Sequence, residues 1–189
     1  NPLPDSRSGY LISLVARLLG EIESVLCVRE PRTLRDLAMA PDRDAYMPQL
    51  QALMSRTFAP DQVALVKATS FVSEIAPDLV PAGERALFMY AAPRAYIESI
   101  LAGENSRKEL AILADLRSQR MAARVANVDQ ARTSEAHLAA AAWACEMTAL
   151  EASAEAMLDR HVEWADFDRM LDGMETALAS VAAFFGFAA

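Results

Sequence analysis

Val63-Ala64-Leu65-Val66-Lys67-Ala68, running on into Thr69-Ser70, is an apolar, β-prone stretch that closes on a lysine and two hydroxyls. A short apolar run without alternation suits a strand covered on both faces. Two other runs share this form. Val25-Leu26-Cys27-Val28-Arg29 comes before it and closes at Glu30-Pro31, and Arg85-Ala86-Leu87-Phe88-Met89-Tyr90 comes after it. Each run is followed by a helical pattern. After the first these cover about Thr33–Met39 and Tyr46–Phe58, with Pro48 in the first turn of the second. After the second run a helix begins near Phe71, with Thr69 or Ser70 as its cap. After the third, Pro93 opens a helix through Ala102 that Gly103 stops. Apolar strand, turn and helix, three times over, predict an α/β fold. Its short parallel sheet has strands Val25–Arg29, Val63–Lys67 and Ala86–Tyr90, joined by helical crossovers.

Outward from this centre, Asn1–Gly9 reads as a loop by its prolines, serines and glycine. Tyr10–Leu19 reads as a helix apolar nearly all round, hence buried, ended by Gly20. From Ser106 the pattern is helical for about fifty residues, dominated by the Ala-rich segments Glu109–Val125 and Ser134–Leu158. His161–Ala165 is a candidate fourth strand. Asp166 caps a turn of helix to Leu171, and Gly173 separates it from a last helix, Met174–Phe185. The C-terminal half is thus a helix-rich layer on the sheet, and residues 1–189 read as a single domain.

The 189 residues are 53% apolar and 23% charged, which predicts a packed domain and not a disordered chain. Six glycines and 7% aromatics speak against collagen-like and small-barrel architectures. A formal charge of −8 without segregation speaks against a nucleic-acid groove or an anionic membrane surface. Cys27 and Cys145 lie in apolar contexts with no CxxC and no Cys/His cluster. The expectation is buried thiols in a reducing cytoplasm, with neither a disulfide nor a metal site. No run of 18 apolar residues and no opening signal peptide is seen, so neither a membrane span nor export is expected. The sequence opens at Asn1, not Met, so an upstream segment is expected to be missing.

Several residues carry candidate chemistry. Arg7-Ser8-Gly9 before a helix could hold a phosphate on backbone N–H groups, with Arg7 adding a bidentate charge; such a loop is also an ordinary helix cap. Glu30 stands where the first strand ends, the edge at which open parallel sheets bind ligands, and could act as a general base. The plainer reading pairs it with Arg29, Arg32 or Arg35. Lys67 closes the second strand and could stabilise a leaving-group oxygen, or simply be a solvated strand end. His137 and His161 share no partner motif. Trp143 and Trp164 read as core. No GxSxG and no Ser/His/Asp set is present.

Taken in order, these pieces resemble the P-loop sulfotransferase family, bacterial members above all. Arg7-Ser8-Gly9 resembles the loop that holds the 5′-phosphosulfate of 3′-phosphoadenosine 5′-phosphosulfate. Val25–Pro31 is similar to the second strand, which ends in a glutamate in some members. Val66-Lys67-Ala68-Thr69 resembles the Lys-Thr-His strand end. Ala86–Tyr90 with Pro93-Arg94 and Ser99 looks like the strand and helix that hold the 3′-phosphate. Trp164–Leu171 and Phe184-Phe185-Gly186-Phe187 look like the family's ending. The resemblance implies a P-loop NTPase-like sheet and sulfuryl transfer to a small hydroxyl or amine acceptor. Glu30 and Lys67 would be catalytic, and Arg7, Ser8, Gly9 and Ser99 would bind the nucleotide. A homo-oligomer is compatible with it.

The chain departs from the family at definite places. Tyr10-Leu11 stand where hydroxyls follow the loop, Thr69 where many members have a histidine, and Ala91 where an arginine binds the 3′-phosphate. No Arg-Lys-Gly segment closes the C terminus. The first strand, central in the family's sheet, would have to precede Arg7, where Pro2 and Pro4 bar it. The expectation is therefore a domain without its first strand, which binds the nucleotide weakly or not at all. The alternative reading is a degenerate, non-catalytic member that acts as an interaction protein.

Overall fold

The computed structural model describes residues 14–126 and 134–187. Within them the chain is mixed α/β and mostly helical. It begins with α1, helical over residues 14–19, then β1 (Val25–Arg29), α2 (Arg32–Met39), α3 (Arg43–Met54) and β2 (Val63–Lys67). A 3₁₀ segment, Ser70–Ile75, runs into α4 (Ala76–Leu79) and then β3 (Arg85–Tyr90). The second half holds α5 (Pro93–Ala102), α6 (Glu104–Arg124), α7 (Glu135–Ala156), β4 (His161–Asp166), α8 (Phe167–Asp172) and α9 (Met174–Phe185). The three apolar runs are strands, and so is the fourth candidate.

Pairing among the described residues is parallel. β1 lies beside β2 with Val25 opposite Val63 and Arg29 opposite Lys67. β3 lies beside β4 with Arg85 opposite His161 and Tyr90 opposite Asp166. β2 and β3 do not pair, so the one sheet expected is two two-stranded sheets. Between these strands the chain packs Val72 and Ile75 under α2 and α3, and a cavity separates the two strands where a ladder would be.

Two helical layers cover both sheets. Leu65 of β2, Leu87 and Met89 of β3 and Ala165 of β4 pack with Val15 and Leu19 of α1 and Val181 of α9. On the opposite side Val66 meets Leu34, Met47 and Ile75. Ala86, Phe88 and Val162 meet Ala76 and Met157 there. Successive side chains leave a strand on opposite faces. Both sheets therefore turn equivalent faces to the same two layers. Phe167, Leu34, Ile75 and Met157 are each under 2% exposed, and full burial of such a side chain stabilises by roughly 1.5–3 kcal/mol.

Some local expectations are corrected. α3 begins at Arg43, which puts Pro48 inside the helix, where its ring nitrogen cannot donate to the Asp44 carbonyl. α1 buries Val15, Ala16 and Leu19 but exposes Arg17 and Leu18, so only one face is covered. Thr69 sits at the N-cap of the 3₁₀ segment without a side-chain capping bond. Trp164 is 41% exposed on β4, with its ring edge-on to Phe88 and Tyr90, and is not core. The Asp166 cap is present: its carboxylate accepts from the N–H groups of Asp168 and Arg169 at 3.0 and 3.3 Å.

Candidate functional site

β1 and β2 end together, and their register places Glu30 one residue beyond the Arg29–Lys67 pair. Glu30 has φ of 47°, in the left-handed region. For a non-glycine residue this costs on the order of 1–2 kcal/mol. Two contacts hold it there. Its N–H donates to the Lys67 carbonyl at 2.7 Å, and its carboxylate accepts from the Lys67 ammonium. The Lys67 side chain is 11% exposed and that of Glu30 45%. Burial first, and then the charge of Arg29, push the Lys67 ammonium below the ordinary lysine pKa. Two residues on, the Thr69 hydroxyl oxygen is buried with no hydrogen-bond partner. Such an orphan costs roughly 1–3 kcal/mol.

Glu30, Lys67 and Thr69 line a cavity of about 1150 Å³. Its helical wall carries a second set of polar side chains, Ser73, Tyr96, Arg117, Trp143 and Glu146. Beside them the buried Phe71 ring is ringed by three guanidinium groups, Arg35, Arg117 and Arg120, with carbons 5.6, 5.3 and 4.8 Å from its centroid. Carboxylates neutralise two of these cations. Arg35 pairs with Glu109 at 3.0 Å, and Arg120 with Glu74 at 3.2 Å. Arg117 is different: it is 7% exposed, and its Nε and Nη1 are buried without a hydrogen-bond partner.

Glu146 supplies the opposite charge near Arg117. Burial raises its pKa to about 7, while Arg117 and a hydrogen bond from Ser73 pull the other way. That bond runs from Ser73 Oγ to Glu146 Oε2 at 3.1 Å. A carboxyl that titrates near neutrality on a cavity wall is poised for proton transfer. Tyr96 is pushed up to about 12 by burial and stays a neutral phenol. Trp143 Nε1 donates to the Ala91 carbonyl at 2.9 Å and ties α7 to the end of β3.

The structure thus brings Glu30 and Lys67 together at one edge of the cavity. Ser99 lies half-buried on α5 and is not among the residues lining it. Arg7, Ser8 and Gly9 lie outside the described residues. Ala91 is buried at the end of β3. His137 and His161 are exposed. Both cysteines are free thiols, Cys145 buried and Cys27 half-buried, and burial raises the pKa of each. Among the described residues no three His, Cys, Asp or Glu side chains gather as a metal site, and no helix is long and apolar enough to cross a membrane.

Arg117 and Glu146 escaped the sequence reading, although one signal was available. The buried residues of α6 are Leu110, Leu113, Arg117 and Met121, so the arginine occupies a core position of a helical stripe. Glu146 follows Cys145 in an otherwise apolar stretch of α7. A charge at core spacing is the mark of a buried polar site. Comparison with models of known protein families, with curated proteins and with solved structures finds no match.

Proposed function

We propose that this chain is a sulfotransferase-like protein with a P-loop NTPase-like arrangement, which moves a sulfuryl group from 3′-phosphoadenosine 5′-phosphosulfate to a hydroxyl or amine acceptor. One observation carries this reading: Glu30 and Lys67 meet at the C-terminal ends of adjoining parallel strands, at the edge of a cavity, with Glu30 in a strained backbone conformation. Strand ends of parallel sheets are where ligands bind, and strain collects at working residues. The acceptor oxygen or nitrogen attacks sulfur and forms the new S–O or S–N bond. The bond from sulfur to the phosphate oxygen breaks, and its electron pair stays on the departing nucleotide. Glu30 takes the acceptor proton, and Lys67 offsets the negative charge that grows on the departing oxygen. Arg7, Ser8 and Gly9 would hold the phosphosulfate and Ser99 the 3′-phosphate. Ala91 offers that phosphate no charge, so binding is expected to be weak.

A second reading is a non-catalytic family member that serves as an interaction protein. The pairing of Lys67 with Glu30 and the small apolar side chain of Ala91 favour it. Incubation with labelled donor and a panel of alcohols and amines separates the two. Transfer by the parent that falls in both Glu30→Gln and Lys67→Ala supports the enzyme; no transfer to any acceptor leaves the interaction protein.

A further inference from the structure

β2 and β3 each use one hydrogen-bonding edge. Val63 N–H donates to the Ser24 carbonyl at 2.8 Å, and the Lys67 carbonyl accepts from Glu30 N–H at 2.7 Å. The main-chain groups of Val63, Leu65 and Lys67 therefore turn toward β1. Alternation leaves those of Ala64, Val66 and Ala68 on the other edge. In β3 the Glu84 carbonyl accepts from His161 N–H at 3.0 Å. That turns the even-numbered residues toward β4 and leaves Arg85, Leu87 and Met89 on the opposite edge. Among the described residues neither edge pairs with another strand.

Both free edges open on the same cavity, which β2 and β3 line along their whole lengths. The two strands run in the same direction, and this follows from chirality. In an L-peptide strand, the face a side chain takes fixes the edge to which its main-chain groups point. Leu65 and Leu87 pack in the same helical layer. Leu65 points its main chain to β1, away from the cavity, and Leu87 points its main chain into the cavity. With the cavity between β2 and β3, both hold only if the strands are parallel. The slot has apolar walls as well: Val15 and Leu19 on one side, Leu79 and Val80 on the other. Its burial is incomplete in the same place. No residue of β2 is fully buried, although its composition suits a strand covered on every side.

We infer that this slot binds an extended peptide strand of a partner polypeptide, which adds between β2 and β3, parallel to both, as the central strand of a five-stranded sheet. The occupant is specified by what surrounds it. Two rows of main-chain donors and acceptors call for a peptide backbone on both of its edges. Proline is barred, because each N–H is needed. Apolar walls above and below require apolar side chains at successive positions, and the strands on either side set its length at about five or six residues. Asn1–Ser6 does not meet this specification, since it carries Pro2 and Pro4. The inference does not depend on the transfer chemistry.

The test is a labelled peptide with six Val, Ile and Leu residues between balanced Lys and Glu flanks, titrated by fluorescence anisotropy, with amide hydrogen exchange read at residue resolution. The expected result is saturable binding, with exchange slowed on the order of tenfold or more at Ala64, Val66, Ala68, Arg85, Leu87 and Met89. The same peptide with proline at its two central positions should not bind, a control that leaves the protein's own fold untouched. Equal binding of the proline peptide, or binding without slowing at these six amides, would overturn the proposal. So would slow exchange there in the protein alone, which would mean that a second copy or another segment already covers the edges.

Discussion

Glu30 and Lys67 are joined twice, once by main chain and once by side chain, across the ends of two parallel strands. The double link holds a glutamate at φ 47°, where glycine would rest without strain. Glu30→Gly should therefore shift stability by no more than about 1 kcal/mol, since relief of backbone strain offsets a half-exposed ion pair. Glu30→Val keeps the strain, adds a branched Cβ and loses the pair, and should cost roughly 1–3 kcal/mol. Urea denaturation of the two variants reads the difference. A valine variant as stable as the glycine variant would show that Glu30 is not strained. On activity, Glu30→Gln should lower any transfer by about 10²–10⁴-fold.

Gly20 ends α1 against the middle of β1. A Cβ built there would lie 2.8 Å from Cys27 Cβ and 3.2 Å from the Ala16 carbonyl oxygen. Neither atom is the free end of a flexible side chain, so α1 and β1 would have to move apart. Gly20→Ala should destabilise by roughly 1–3 kcal/mol. Cys27→Ala should not rescue it, because the collision is with the Cβ that alanine retains. Thermal melts of the single and double variants decide this, and rescue by Cys27→Ala would place the conflict at the thiol instead.

The strands were legible because apolar runs such as Val63–Lys67 end at turn signals, and strand composition changes little with what lies beside it. The same fact hid the break between β2 and β3: a run reads alike whether its second edge is paired or open. Glu30 and Lys67 were legible as strand ends, but their contact comes from the register, which one strand alone does not reveal. Arg117 and Glu146 were missed because α6 and α7 were read for their apolar content, where a lone charge looks like the solvated side of a helix. Trp164 misled in the opposite sense. Its aromatic bulk suggests core, yet it lies on β4, which pairs only with β3 among the described residues, and is left partly exposed.

Arg117 is buried with two nitrogens unsatisfied, which makes it a poor contributor to stability. Exchange of a buried charge for an apolar side chain of similar length is often neutral or favourable by up to a few kcal/mol. Arg117→Met should thus fold with stability equal to or above the parent. It should also raise the Glu146 pKa further, because the arginine is the main influence holding that value down. Denaturant titration together with a carboxyl-sensitive NMR titration of Glu146 checks both parts. A strongly destabilised Arg117→Met would mean that the guanidinium is satisfied in solution.

Glu146 sets the pH dependence expected near neutrality. Its pKa is raised from the model-peptide value of 4.5 to about 7 in the folded protein, chiefly by burial. The folded state therefore binds a proton that the unfolded chain has already released between these values. Stability from this group is complete below about pH 4.5, falls as pH rises through 7, and is flat beyond it. The loss over that window is about 3 kcal/mol at most, from 1.36 kcal/mol for each pKa unit. Glu146→Gln keeps the shape and can still accept from Ser73, but it does not titrate. It should flatten the slope between pH 5 and 7 and stabilise the protein at pH 8, while near pH 4.5 it should match the parent. Urea denaturation of parent and variant from pH 4.5 to 8 measures both curves. Parallel curves across the window would mean that Glu146 titrates as an ordinary solvent-exposed carboxylate and is not the proton-transfer group of the helical wall.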